Sequence, residues 1–329
     1  MYSKIRTLSD QINLNRTSIN LPKDAVIDAI VLKVNMNIAN GGASAWNGTG
    51  LDALGAVSEV RVISDGSTVH YALNGKDIAI LNAYGGLFGG APVWSQACTV
   101  NAGANADFEF VLVLNEGDIL AVTKDSLELK ATFNTTLAAD VTVTACTITA
   151  SIVENVYTPQ EFVGVYGANL EGAAEPKVYA LTQSIAANTE LTGVLDLPTG
   201  TLHRRGVMCF MDAAGVYGNA NPGAVGLIVT SPDRREMLNV DFPTLRGIAN
   251  YKYCVNGAAP PGCAVFNYGE EVTNDPYGLR GWRWSKGDYQ IGVKTANAGN
   301  LRYISCEHVV NTKAFEAAEQ AVIEGTPNF

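Results

Sequence analysis

Short runs of β-branched and aromatic residues, each closed within about a dozen residues by a turn signal, dominate this chain and leave room for little but strands. Residues 19–34, INLPKDAVIDAIVLKV, show the pattern first. Proline donates nothing to a ladder, so Leu21-Pro22 marks an edge strand or a strand end. The run after it is too rich in Val and Ile to favour a helix. VSEVRVIS, STVHYAL, DFEFVLVL, DILAVT, LELKATF and VTVTACTITASIV read as further strands of the first half. In VTVTACTIT the alternation sets Val141, Val143, Ala145 and Thr147 on one face. Turn signals at 64–66 and 115–118, and Gly/Asn/Ala loops at 38–50 and 101–106, separate the runs. Many short strands at this spacing mean a β-sandwich or a barrel. Helix is scarce: two turns from Lys76 to Ala83, closed by Gly85, and a C-terminal helix in NTKAFEAAEQAVIEG, capped by Asn311 or Thr312 and stopped by Gly325.

The order of these signals recurs. Leu21-Pro22 lies over Leu197-Pro198 and Val31-Leu32 over Val207-Met208, both at a shift of 176 residues. ISDGSTVHYALNGKDIAILNAY (63–84) lies over VTSPDRREMLNVDFPTLRGIANY (229–251) at a shift of 167, which joins Leu73 to Val240, Ile78 to Leu245 and Tyr84 to Tyr251. Further on, DFEF (107–110) is matched with DYQI (288–291), and LEL (127–129) with LRY (301–303). Two eight-stranded sandwiches need roughly 150 residues apiece, and 329 residues supply them. The expected division is a first sandwich over 1–155, a Pro- and Gly-bearing connection over 156–180, and a second sandwich with the C-terminal helix over 181–329.

Charge narrows the function. Charged residues are only 16% of the chain against 47% hydrophobic ones, a surface suited to packing against identical copies. A net charge of −10, with no basic cluster beyond the pairs Arg204–Arg205 and Arg234–Arg235, argues against direct nucleic-acid binding, which needs Lys and Arg gathered on one face. No segment has the ~20 apolar residues of a membrane span, and MYSKIRTLSDQINLN lacks a signal-peptide h-region; the expectation is a soluble protein made in the cytoplasm. Cys98, Cys146, Cys209, Cys254, Cys263 and Cys306 show no C-x-x-C spacing and read as buried thiols.

A search for chemistry finds no catalytic, cofactor or metal set. His70, His203 and His308 form no ligand spacing, so the H-x-H set of a metal-dependent bicupin is missing from both halves. G-x-S-x-G and P-loop patterns are absent. Glu270 and Glu271, adjacent on a strand, point to opposite faces and make a poor glycosidase pair. In YGLRGWRWSKGDYQ (277–290), Trp282 and Trp284 share one face of an extended segment with Arg283 on the other. Such aromatics anchor a core or a subunit interface more often than they stack on a sugar.

NLPKDAVIDAIVLKV and ISDGSTVHYALNGKDIAILNAY in the first half, with LDLPTGTLHRRGVMCF and VTSPDRREMLNVDFPTLRGIANY in the second, resemble the double jelly-roll major capsid proteins of tailless icosahedral viruses, the lineage of adenovirus and the membrane-containing phages. The resemblance spans essentially the whole chain. It implies an all-β fold of two tandem eight-stranded jelly-roll sandwiches with short helices and a C-terminal helix. It implies a homotrimer whose six sandwiches make a pseudo-hexagonal tile of a virion shell. It further implies contacts with neighbouring capsomers, penton or minor capsid proteins and an internal lipid membrane. The alternatives are a carbohydrate-binding or adhesive tandem β-sandwich protein, for which exposed Trp282 and Trp284 would speak, and a tandem-sandwich enzyme.

Overall fold

The computed structural model describes residues 1–85, 93–167, 174–198, 201–218, 222–229, 235–254, 259–268, 282–283 and 289–310. The expected C-terminal helix over 311–325 and Glu270–Glu271 lie outside the described residues. The chain divides into two compact units. One holds the described residues of Met1–Asn82, Gly90–Val178 and Val309–Phe329, the other those of Ala83–Gly89 and Tyr179–His308.

The first unit has eight principal strands: β1 (Tyr2–Asn13), β2 (Ser18–Asn20), β3 (Val26–Asn40), β4 (Val57–Ser64), β5 (Thr68–Leu73), β6 (Asn105–Leu114), β7 (Leu127–Phe133) and β8 (Val141–Val156). They pair antiparallel in the orders β1-β8-β3-β6 and β2-β7-β4-β5. First beside eighth, third beside sixth, second beside seventh and fourth beside fifth is the strand order of a jelly roll. Helix α1 (Gly75–Gly85) follows the fifth strand. Its Asn82 side chain donates to the Val113 carbonyl and accepts from the Val113 N–H, each at 2.8 Å, which satisfies one residue on β6 where the sheet ends.

The core follows from alternation. Ile30, Leu32, Val34, Met36 and Ile38 of β3 are buried while Lys33 is exposed. They meet Ile148, Ala150 and Ile152 of β8 on the same inner face. The even alternation expected along β8 does not hold. A register shift between Val143 and Ala145 turns the strand over, so Val141 and Val143 are buried, Ala145 is exposed, and Cys146 and Ile148 take up the inward positions. A bulge adds one residue and reverses every later side chain.

The second unit repeats the plan. Its strands are β9 (Ala174–Ile185, entering the unit at Tyr179), β10 (Thr189–Leu197), β11 (Leu202–Met211), β12 (Ala224–Val229), β13 (Arg235–Asp241), β14 (Cys263–Asn267), β15 (Tyr289–Thr295) and β16 (Gly299–Val310, leaving it after His308). The orders are β9-β16-β11-β14 and β10-β15-β12-β13, the same scheme advanced by eight. Helix α2 (Phe242–Tyr253) again follows the fifth strand. The core gathers Met208, Phe210, Phe242, Phe266, Tyr268, Ile291, Val293, Leu301 and Tyr303, and Phe210 meets Phe242 edge-on at 5.1 Å between ring centres.

Both long offsets fall on equivalent elements. A shift of 176 carries Val26, the start of β3, to Leu202, the start of β11. A shift of 167 carries β5 onto β13 and α1 onto α2. Pro22 and Pro198 stand just beyond β2 and β10, each last in its sheet. The two later matches are off by one strand. DFEF belongs to the sixth strand and DYQI runs into the seventh; LEL belongs to the seventh and LRY to the eighth. The true sixth strand of the second unit is Cys263–Asn267, four of whose five residues are buried, so it carries no period-2 signal. DILAVT is also not a strand. Ile119 makes one bridge, to Ile27, and Ala121–Thr123 close a 3₁₀ turn in which the Thr123 N–H and hydroxyl both donate to the Leu120 carbonyl, a side-chain bond that competes with the ladder.

Candidate functional site

The backbone of Trp282 lies in a two-residue strand, Trp282–Arg283, where Trp282 pairs with His203 and Arg283 with Leu202 of β11. Trp284 lies outside the described residues. The six cysteines carry no disulfide; five are buried and Cys254 is half-buried.

The histidines are structural in their surroundings. His70 Nε2 lies 2.9 Å from Ser64 Oγ, and Nδ1 lies 3.3 Å from the Pro176 carbonyl. The Ser–His distance is that of a nucleophile and its base. Both side chains are sealed from solvent, Ser64 at 0% and His70 at 1% exposure, so no substrate reaches the hydroxyl. Burial pushes the His70 pKa below its ordinary value, against the pull of Glu175, and the ring is neutral at pH 7. His203 donates from Nε2 to the Pro198 carbonyl at 2.9 Å and stands with Nδ1 3.9 Å from Glu307. His308 Nε2 lies 3.4 Å from an Arg204 guanidinium nitrogen.

Buried charge in the first unit is paired. Lys124 and Glu175 meet at 2.5 Å, almost wholly inside, and Glu175 also accepts from the Leu120 N–H at 2.9 Å. Glu154 of β8 is fully buried and receives Arg6, and Lys4 at 3.2 Å; Arg6 also reaches Asp24 at 2.6 Å. Burial opposes the charge on Lys4, but the hydrogen bond and charge of Glu154 outweigh it and raise its pKa. Asp118 accepts from the Tyr166 hydroxyl at 2.7 Å, and burial nonetheless pushes its pKa up. In the second unit fully buried Glu307 accepts from Tyr179 Oη at 2.5 Å, Ser305 Oγ at 2.7 Å and Thr201 Oγ1 at 2.9 Å. Sequence reasoning missed Glu154 and Glu307, because their cationic and hydroxyl partners on the first strands lie 148 and 128 residues away.

Among the described residues no group of three or more His, Cys, Asp or Glu could hold a metal ion, and no helix is long and apolar enough to cross a membrane. The described exposed large apolar side chains include Met1, Tyr2 and Ile5 at the start of β1, and Ile248 and Tyr251 three residues apart on α2, with Tyr251 at 91% exposure. The N-terminal residues are thus the first strand of a sheet, and the terminal ammonium is itself tied to Glu161 at 2.5 Å.

Two eight-stranded sandwiches with the 1-8-3-6 and 2-7-4-5 orders define a double jelly roll. No protein-family model matches the chain, and no curated protein matches it in sequence. Solved structures do match in fold. The crystal structure of the STIV MCP superposes with a TM-score of 0.80 at 16% identity, over 94% of this chain and 97% of that one. The chain in the atomic structure of Sulfolobus Turreted Icosahedral Virus gives 0.78 at 16% identity, over 98% and 97%. The major capsid protein P2 from bacteriophage PM2 gives 0.55 at 13% identity, over 94% and 98%. This chain therefore has the double jelly-roll fold of those viral proteins over 94% of its length.

Proposed function

We propose that this chain is a structural virion protein, the major capsid protein of an icosahedral shell, built as a homotrimer. The observation that carries the reading is the likeness to the STIV MCP over 94% of this chain and 97% of that one, with no large insertion or missing domain on either side. Two sandwiches per chain give six in a trimer, so three copies present a pseudo-hexagonal outline that packs against six neighbours. A chain with 16% charged residues suits such edges, because lateral contacts of thousands of Å² are costly to desolvate when charged. Tyr2, Ile5, Ile248 and Tyr251 are apolar groups for which contacts with other copies would provide cover.

In this reading the protein is a building block and not a catalyst. The shell encloses an internal lipid membrane, and the net charge of −10 fits a genome that touches that membrane and not the tile. Penton and minor capsid proteins are the further partners, and the chain passes from the host cytoplasm to the virion. A carbohydrate-binding or adhesive role draws no support from these likenesses. Sedimentation of the purified chain across a concentration series tests the proposal. A trimer that persists on dilution is expected; a monomer at every concentration overturns it, and sugar binding at Trp282 and Trp284 would then be measured.

A further inference from the structure

Cys209 of β11 and Cys263, the first residue of β14, are register partners on adjacent antiparallel strands. The Phe210 N–H donates to the Gly262 carbonyl at 2.9 Å, whereas the Cys263 N–H donates to Pro260 at 3.2 Å. Cys209 and Cys263 therefore form a narrow, non-hydrogen-bonded pair, the kind in which Cα atoms are about 4.5 Å apart and side chains closest. That spacing lies inside the range a disulfide bridges. The two Sγ atoms are 2.8 Å apart, and both residues are fully buried. Gly262 holds the turn before Cys263 in the left-handed region at φ 70°, where an added Cβ would strike Gly218 and the Phe210 carbonyl. The turn fixes Cys263 opposite Cys209.

We propose that Cys209 and Cys263 are a redox site that closes to a disulfide while the chain folds, before β11 and β14 bury the pair, by exchange with a low-molecular-weight disulfide of the glutathione class. One cysteine thiolate attacks a sulfur of the small disulfide and expels one thiol. The second thiolate then attacks the protein sulfur of the mixed disulfide and expels the other. The protein gives up two electrons and two protons, and the small disulfide becomes two thiols. The bond would staple β14, last in its sheet, to β11 across a separation of 54 residues. The site is independent of the assembly role.

The test uses the full chain, refolded in a buffer of reduced and oxidised glutathione, then blocked at its remaining thiols in denaturant and digested without reduction. The expected result is a Cys209–Cys263 peptide pair, four blockable thiols in the refolded protein, and a melting temperature about 5 °C above that of the reduced form. Cys209→Ala and Cys263→Ala, checked for folding by circular dichroism, should each show five blockable thiols and lose the increment. Six blockable thiols in the refolded wild type, a stable glutathione adduct at either cysteine, or a bond joining another pair would overturn the proposal.

Discussion

Glu154 and Glu307 occupy the same place in the two jelly rolls. Each lies near the end of the eighth strand, each is fully buried, and each is met by a side chain of the first strand. Their solutions differ. Glu154 is neutralised by two cations, Lys4 and Arg6, whose outer parts keep contact with water. Glu307 is solvated by hydroxyls, from Tyr179, Ser305 and Thr201. Burial pushes the Tyr179 phenol well above its ordinary range, and the bond to Glu307 pushes it further, so it remains a donor at any working pH. A repeated topology thus preserves a buried carboxylate position while the chemistry that makes it tolerable diverges. The ionic version ties the first strand by charge, the neutral version by directed hydrogen bonds.

The largest effect should come from breaking the ionic version. Lys4→Met with Arg6→Met strands a fully buried carboxylate and should cost about 3–5 kcal/mol in urea unfolding. Tyr179→Phe leaves Glu307 two other donors and should cost about 1.5–3 kcal/mol; equal losses in the two variants would show that the two carboxylates are held alike. Gly206→Ala sharpens a second contrast. At the shift of 176 Gly206 corresponds to Ile30, a buried core residue, but an added Cβ at Gly206 would sit 2.1 Å from Tyr303 Oη. The second unit has moved that volume onto Tyr303, which is fully buried and 3.1 Å from Tyr268 Oη, so the substitution should cost about 1–3 kcal/mol.

A pH titration separates two groups of the first unit by range, both losing their contribution as pH falls. His70 has a folded pKa depressed by burial. Its contribution is complete above the unfolded value near 6.5 and is lost as pH falls below it, at up to about 1.4 kcal/mol per pH unit. Melting followed between pH 7.5 and 5.5 should show this loss, and His70→Gln should flatten it; an unchanged slope would exclude His70 as its source. Glu161, held down to about 2 by the terminal ammonium and the Thr158 cap, acts at lower pH: its contribution stands above 4.5 and disappears as pH falls through about 2. The smallest effects are at the equivalent helices. Asn74 and Asp77 cap α1 reciprocally at 2.8 and 3.0 Å, and Asp241 caps α2 through the Thr244 N–H at 3.0 Å. Asn74→Ala and Asp241→Ala should each cost about 1 kcal/mol.

The parts of the fold legible in sequence were those governed by local rules. Leu-Pro at an edge strand, the turn and the short helix after the fifth strand recur with fixed spacing, because each is specified within a few residues. Elements governed by distant partners were not legible. β1 carries Tyr2, Ile5, Leu8 and Ile12 without strict alternation, and only Ile12 is buried; it is a strand because β8 pairs with it. The bulge between Val143 and Ala145 leaves no compositional mark, and the short buried run Cys263–Asn267 reads the same as any apolar run. Of the candidate site, only the extended backbone of Trp282 was legible in sequence, and its pairing beside β11 came from the structure. Glu154, Glu307 and the Cys209–Cys263 pair were not, since each depends on residues brought together from 54 or more positions apart.

Electron microscopy of the purified oligomer tests the capsid reading most directly. Three chains arranged as a tile should give class averages with a hexagonal outline and six sandwich-sized lobes around a three-fold axis. Averages with two-fold symmetry, or single chains with two lobes, would contradict it.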